Sequence, residues 1–526
     1  MDHRDAFAGI KESRKPASSM EITLGVSPLP ADATARVDET GVELKRGAFL
    51  NTIGMLASNF RGIFTFLVAR LLGPAALGIF SVAWSTTDTI SKIGVLGLDN
   101  AIITFIARSE AVGDRLRSRR LFRVAVVLGI VQSAVTAVIV ITAIRLFSHR
   151  LHLQPEMVSA LAVLLCAMPG VALYRISTSV SRGMKVMQHD IYSRGVTEPI
   201  ATTLAFLFAL VIGFGKFAPE VAAILGTATS GVVALALASK LFRRIPAHRD
   251  AVPRLSEARR LIGYSASISV YQFINAFISG LDLIMLGYFV GHAPGVTLAT
   301  VGVYSAVVGT ANGLRKVNQA FNPIFAPVVA GMTATGDHER AAHTYSNLAQ
   351  WMLWILLPLV AVMALAGGAI LSIYGAAFRQ GAAWLGIVAL ASALNAFVAL
   401  GETVIMVQRP RLNLLHSAIT CTVAVAGLLW LIPRFGVTGA AFGILLPYIV
   451  QGILRYATLR WVFHWKDSWS NNRPPLIATG IALVPAIVCR AFLGGIVGQV
   501  TSAAAFLAVF GVQWLRHHTH LKRQGA

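Results

Sequence analysis

Three charged side chains stand where charge is expensive. Arg61, Asp88 and Lys92 fall within residues 48–72 and 76–98, two apolar segments each long enough to cross a hydrocarbon core as a helix. An ionised group at such a depth must face a cavity or another charge, so each is a candidate functional residue. Asp88 and Lys92 are four positions apart, on one helix face and one turn from each other. One reading is a buried ion pair that locks two helices. The other is a cavity in which Arg61 and Lys92 outweigh Asp88. That leaves a positive site suited to phosphate oxygens, with arginine giving a planar fork of donors and lysine a point charge. Arg61 has no evident partner within its own helix, and Asp88 on the next helix is its nearest candidate.

Further charges lie near segment ends. Asp99, Glu198, Arg315, Lys316 and Glu402 sit close to cytoplasmic helix ends, where snorkelling makes charge cheap, and structural or gating contacts are expected of them. Arg315 could also form part of a substrate entrance. Asp282 falls toward the opposite side of its segment, where it could close an outer gate, bind a coupling cation or make a structural hydrogen bond.

The elements that position these groups are helices in a membrane. With 56% hydrophobic and 13% charged residues, the 526-residue chain departs from a soluble composition, in which about a quarter of residues are charged. Fourteen spans are expected between about residues 48 and 515, an all-α polytopic membrane protein. The first two are joined at Gly73-Pro74, where glycine ends one helix and proline starts the next. Residues 1–45 read as a disordered polar tail with no cleaved signal peptide, and 320–346 as a helix end followed by a surface segment. Of the 45 Lys and Arg, 36 fall on one side of this map and seven on the other. The asymmetry is the positive-inside pattern, so the +22 formal charge reflects topology rather than nucleic-acid binding, with both termini cytoplasmic.

An internal repeat runs through the spans. Gly78-Ile-Phe-Ser81 matches Gly302-Val-Tyr-Ser305, Asn100 matches Asn322, and Gln188 matches Gln408, at offsets of 224 to 220. Lys216-Phe217 parallels Arg434-Phe435 at 218. Six spans per repeat is an even number, which relates two halves by an axis along the membrane normal. The expected organisation is a tail (1–45), a six-helix lobe (46–243), a basic linker (244–260), a second six-helix lobe (261–462), two additional spans (463–516) and a tail (517–526). Two lobes around a central cavity is a transporter plan.

The residues Ala69-Arg-Leu-Leu-Gly-Pro74, Gly78-Ile-Phe-Ser81 and Gly97-Leu-Asp-Asn-Ala101 resemble those of the polysaccharide-biosynthesis (oligosaccharide) flippases. So do Leu281-Asp-Leu-Ile-Met-Leu-Gly-Tyr288, Gly302-Val-Tyr-Ser305 and Ala320-Phe-Asn-Pro-Ile-Phe-Ala-Pro327, and the likeness covers about 45–462. The superfamily also contains multidrug antiporters and the lipid II flippase, whose branch shares the extra pair of spans. The resemblance implies a two-lobed helical transporter moving undecaprenyl-diphosphate-linked glycans between leaflets of the bacterial inner membrane. Its expected partners are that glycan, membrane lipid, a polysaccharide polymerase and other assembly proteins. Arg61, Lys92 and Arg315 are then cavity candidates for substrate. Asp88, Asp282, Asp99, Glu198 and Glu402 are candidates for coupling or gating, with H+ or Na+ as the coupling ion and no other cofactor.

Catalytic constellations are absent from the sequence. The cysteines Cys166, Cys421 and Cys489 have no metal-ligand spacing and read as small buried side chains. His517-His-Thr-His520 reads as a solvated terminus, and Gly439 with Gly443 as a close helix contact within the fold. Two alternatives stay open: a cation-coupled multidrug antiporter, which calls for a carboxylate-dominated cavity, and a membrane enzyme or scaffold of polysaccharide assembly.

Overall fold

The computed structural model describes residues 60–150, 152–243, 255–334, 336–465 and 469–524. The expected tail 1–45 and most of the linker 244–260 lie outside them. The described residues are helical, with no strand among them. In order they form α1 (Phe60–Val95), α2 (Leu98–Ala111), α3 (Arg115–Phe147), α4 (Pro155–Leu165) and α5 (Met168–Gly183). A π-helical segment (Ile191–Thr197) leads into α6 (Glu198–Ile212), and α7 (Ala218–Leu241) ends the first set. The second set is α8 (Leu255–Tyr288), α9 (Leu298–Ala311), α10 (Arg315–Ala334), α11 (His338–Leu365), α12 (Ala382–Gln408) and α13 (Pro410–Ala457). The chain closes with α14 (Trp469–Phe492) and α15 (Gly495–Gln524).

Eleven helices among the described residues are long and apolar enough to cross a membrane, so the chain is a multi-pass membrane protein. Two of them are hairpins. In α1, Gly73 takes φ 82 and ψ 180, a conformation open to glycine, and Pro74 restarts the helix. The rings of Phe64 and Phe80 then meet at 5.2 Å, whereas sixteen residues along a straight helix would separate them by about 24 Å. In α13 the break is Gly436, with φ 56 and ψ −133. Gly439 lies against Leu431 and Gly443 against Leu428, so this pair of glycines does pack within the fold. The expected total of fourteen spans is not established, since α9 is only 14 residues long.

The prolines at 323 and 327 do not end a helix as expected, because α10 continues through them to Ala334. The cysteines are also less enclosed than expected: Cys166 is exposed and the other two are half-buried. An apolar solvent removes the pressure to hide a thiol, which behaves as a small hydrophobe. His517 and His518 are no solvated terminus either. They pack on Trp354 and Trp351 of α11, at 5.5 and 5.0 Å between ring centroids, and so anchor α15.

Chain reversals gather at two ends. Gly375 lies beside Arg70, Gly291 beside Gln154, and Gly436 beside Pro294. At the other end Gly97 lies against Ser265 and Ser269, and Phe105 against Tyr264. Between these ends, α1 joins the two helix sets by packing on α8 and α9.

The tightest contact there pairs the glycines that head the matched tetrapeptides. A Cβ added at Gly302 would stand 1.7 Å from the Pro74 carbonyl oxygen, and one at Gly78 would stand 2.2 Å from that of Leu298. Residue 74 is to 298 as 78 is to 302, so the contact is reciprocal at an offset of 224. One helical turn further on, Val82 fills the space over Gly287, and the Ser85 hydroxyl donates to the Gly280 carbonyl at 3.2 Å.

Candidate functional site

The charged residues of the first helix set converge from α1, α5 and the π-helical segment. Asp88 and Lys92 lie on the second arm of α1. The Asp88 carboxylate does not take its hydrogen bond from Lys92. Its Oδ1 accepts from the guanidinium of Arg175 on α5 at 2.7 Å. Arg175 is only 8% exposed, whereas the Asp88 side chain is 42% exposed. The pair therefore has a buried cationic end and an open anionic end. Arg194 follows from the π-helical segment, its guanidinium 5.8 Å from the centre of the Tyr174 ring. Such π-turns recur at functional sites because they re-aim side chains that an α-helix would stack regularly.

Arg61 lies in the first turn of α1, but its side chain falls outside the described residues. Its expected partnership with Asp88 therefore lies outside the described residues. Arg175 is one of the 36 basic residues on the cytoplasmic side of the positive-inside count. The sequence nonetheless carries a signal, since residue 175 lies within an apolar stretch, about 158–180. Glu220 escaped sequence reasoning: it sits in the first turn of α7, buried to 1% exposure.

Glu198, expected to snorkel, is buried in the first turn of α6. Asp99 does lie at a helix end. It occupies the first turn of α2, where its carboxylate accepts from the Asn100 N–H at 3.0 Å and favours the positive end of the helix dipole.

The second helix set holds two separate polar groups. Asp282 on α8 is buried, and both its oxygens are occupied: Oδ1 accepts from the Leu283 N–H at 2.9 Å and Oδ2 from the Tyr304 hydroxyl at 2.9 Å. Nearby, Arg315 at the start of α10 donates to the Tyr448 hydroxyl at 2.9 Å and lies over that ring. It turns inward rather than toward an interface. Lys316, next in the chain, is half-buried.

The other group is built on Glu402. Its Oε2 meets the buried Arg455 at 2.8 Å, and Arg455 also donates to the Val398 carbonyl at 3.0 Å. The Tyr271 hydroxyl donates to Oε1 of the same glutamate, and Asn413 donates to Tyr271 at 3.0 Å. Glu402, expected at a helix end, and Arg455 are thus an internal ion pair linking α12 to α13. No cluster of three or more His, Cys, Asp or Glu among the described residues could hold a metal ion. A cavity of about 720 Å³ lies between α11, α12, α13 and α14, away from Asp88 and Lys92.

Arg175 and Asp88 offset each other, and the Lys92 and Arg194 cations stand near them, with Asp99 within electrostatic reach of Lys92, and Asp190 and Glu198 within reach of Arg194.

The fold has solved counterparts. The structure is similar to a lipid II flippase, MurJ, in an inward closed conformation, with a TM-score of 0.70, 7% identity, and coverage of 90% of this chain and 99% of that one. It is similar to an inward-facing multidrug resistance MATE family transporter of the MOP superfamily, with a TM-score of 0.68, 14% identity, and coverage of 79% and 98%. A Vibrio cholerae MATE transporter, VcmN, aligns with a TM-score of 0.57 at 15% identity, covering 82% of this chain and 98% of that one. No curated protein matches the sequence. The model of one family, described as polysaccharide biosynthesis protein, matches residues 44–330, more than half of the chain. The match takes in the Gly73-Pro74 hairpin, the Asp88–Arg175 pair and the Gly78–Gly302 contact, and the chain belongs to that polysaccharide biosynthesis family.

Proposed function

We propose that the protein is a flippase that carries an undecaprenyl-diphosphate-linked oligosaccharide across the bacterial inner membrane for surface polysaccharide synthesis. The observation that carries this reading is the Asp88–Arg175 pair with Lys92 one turn away, a polar cluster of net positive charge on otherwise apolar helices. Such charge is costly in a membrane unless it meets a ligand or a counter-charge, and a diphosphate supplies both charge and acceptor oxygens. The family match supports the same substrate class.

In this reading the two helix sets are lobes that alternate in access to either side, with both termini in the cytoplasm. The seam at Gly78 and Gly302 gives them a fixed line of close approach about which to rock. The headgroup crosses between the lobes while the prenyl chain stays in lipid, which spares the diphosphate and sugar hydroxyls an uncompensated passage through hydrocarbon. Lys92, Arg61 and Arg315 attract the diphosphate, Asp88 and Asp282 respond to a coupling cation, and no covalent bond changes. Asp99, Glu198 and Glu402 hold the gating helices.

The test is transport by purified protein in liposomes loaded with the diphosphate-linked glycan, read as glycan accessible on the far leaflet. Lys92→Ala should abolish transfer at unchanged protein yield, and Lys92→Arg should retain it. Arg61→Ala should also lose transfer, with Arg61→Lys recovering only part, because lysine keeps the charge without the fork. Full transfer by both alanine variants would reject the cationic site.

A further inference from the structure

The cavity between α11, α12, α13 and α14 belongs to neither polar group described above, and its walls have a definite polarity. One wall runs from the second arm of α13, with Ile449, Ile453 and Tyr456, into the π-helical segment Thr458–Val462, where Arg460 follows, the four spaced four, three and four apart. Ile449 is 42% exposed and Ile453 62%, so this face opens laterally. The facing wall on α11 sets the small side chains Ala342, Ser346 and Ala349 beside Tyr345, and the small ones leave space that the isoleucines do not fill.

From Ile449 to Arg460 the stripe is about 16 Å long at helical rise, close to the hydrocarbon depth of one leaflet, about 15 Å. Its apolar length ends at Arg460, whose Nη1 donates to the Trp465 carbonyl at 3.4 Å. Arg455 also lines the cavity, but Glu402 takes up its charge. Among the described residues no carboxylate lines the cavity and Arg460 makes no ion pair. The cavity is therefore apolar along one leaflet's depth and positive at one end.

From this geometry we infer that the cleft between α11 and α13 is a resident-lipid site for an anionic phospholipid, with one acyl chain along Ile449 and Ile453 and the phosphate at Arg460. A polyprenyl chain long enough to span the bilayer would overrun a groove one leaflet deep, and a zwitterionic headgroup, which brings its own ammonium beside the phosphate, would leave the site with net positive charge. The bound lipid would fill the gap between the second helix set and α14, which closes the cleft with Asn472. The inference goes beyond the transport reading and does not depend on it.

The test uses the full chain purified in neutral detergent. Binding of phosphatidylglycerol, phosphatidylethanolamine and undecaprenyl phosphate is measured by native mass spectrometry. The unaltered protein should bind phosphatidylglycerol about five-fold more tightly than phosphatidylethanolamine, the preference expected of one basic side chain near a membrane surface. Arg460→Gln should erase that preference while leaving residual binding of both lipids. Ile453→Trp, a change at an exposed position, should weaken both phospholipids with no loss of thermal stability in lipid-free detergent. Equal binding of the two phospholipids by the unaltered protein would overturn the inference, as would a preference that survives Arg460→Gln. Unchanged binding in Ile453→Trp would move the lipid elsewhere. Displacement of phosphatidylglycerol by an equimolar amount of undecaprenyl phosphate would assign the cleft to the carrier lipid instead.

Discussion

Arg175 and Asp88 are 87 positions apart and meet at 2.7 Å, the guanidinium buried and the carboxylate partly open. Removing either partner has unequal consequences. Asp88→Ala strands a buried guanidinium, and breaking such a pair costs about 3–5 kcal/mol, with the open carboxylate favouring the lower figure. Arg175→Met with Asp88→Leu removes both charges and should recover most of that loss. Thermal unfolding in detergent checks the order: single variant lowest, double variant near the unaltered protein. If the pair serves transport as well as folding, the double variant will be stable and inactive. A stable and fully active double variant would confine the pair to a structural role.

The Gly78–Gly302 seam predicts a sharp positional contrast on one helix. Gly302→Ala places a methyl group 1.7 Å from the Pro74 oxygen, so α1 and α9 must separate. Overpacking of this kind costs about 1–3 kcal/mol. Gly309→Ala on the same helix meets nothing within 4 Å and should be neutral or slightly stabilising, because alanine is the better helix former. Matching melting temperatures for the two variants would contradict the close backbone contact.

Coupling can be separated from folding at Asp282. Asp282→Asn keeps an acceptor for the Tyr304 hydroxyl and the side-chain volume while removing the charge. If Asp282 carries the coupling cation, transfer by this variant should proceed at the same rate with and without an imposed ion gradient, in a protein that still inserts. Gradient-independent transfer by the unaltered protein would remove the reason for giving Asp282 this role.

Topology follows from the placement of basic residues. Reporter fusions at about residues 110, 250 and 520 should read cytoplasmic, and a fusion near 293 periplasmic. A cytoplasmic reading at 293 would overturn the assignment, since Pro294 lies against Gly436 and Gly291 against Gln154 at one end of the bundle.

What the sequence disclosed was largely what neighbours in the chain decide. The hairpin at Gly73-Pro74 follows from two residues that break a helix locally, and the offset of 224 was legible because both copies kept glycine where backbones touch. The family was legible for the same reason, through short motifs at these turns and contacts. The charged pairs were not. Which carboxylate faces Arg175 depends on how α5 is rotated against α1, and periodicity reports an apolar face without naming its partner. The positive-inside count also conceals two residues, since Arg175 and Arg455 add to the cytoplasmic total though each is a buried member of an ion pair. A basic residue at the margin of a span satisfies either description, and only packing separates them. His517 and His518 misled in the opposite direction, since their polarity hid an aromatic surface on α11 that accepts imidazole rings.

A seam whose two sides repeat each other need not carry matching chemistry. Phe80 and Tyr304 hold equivalent places beside it, 224 positions apart. Phe80 lies edge-on to Phe64 and stacks with Trp84, whereas the Tyr304 hydroxyl reaches the Asp282 carboxylate. In a dimer of identical chains any change at this position would appear on both sides at once. Within one duplicated chain the copies are free to diverge. One hydroxyl distinguishes them here, giving the second half a hydrogen-bond donor for a carboxylate where the first has only a ring.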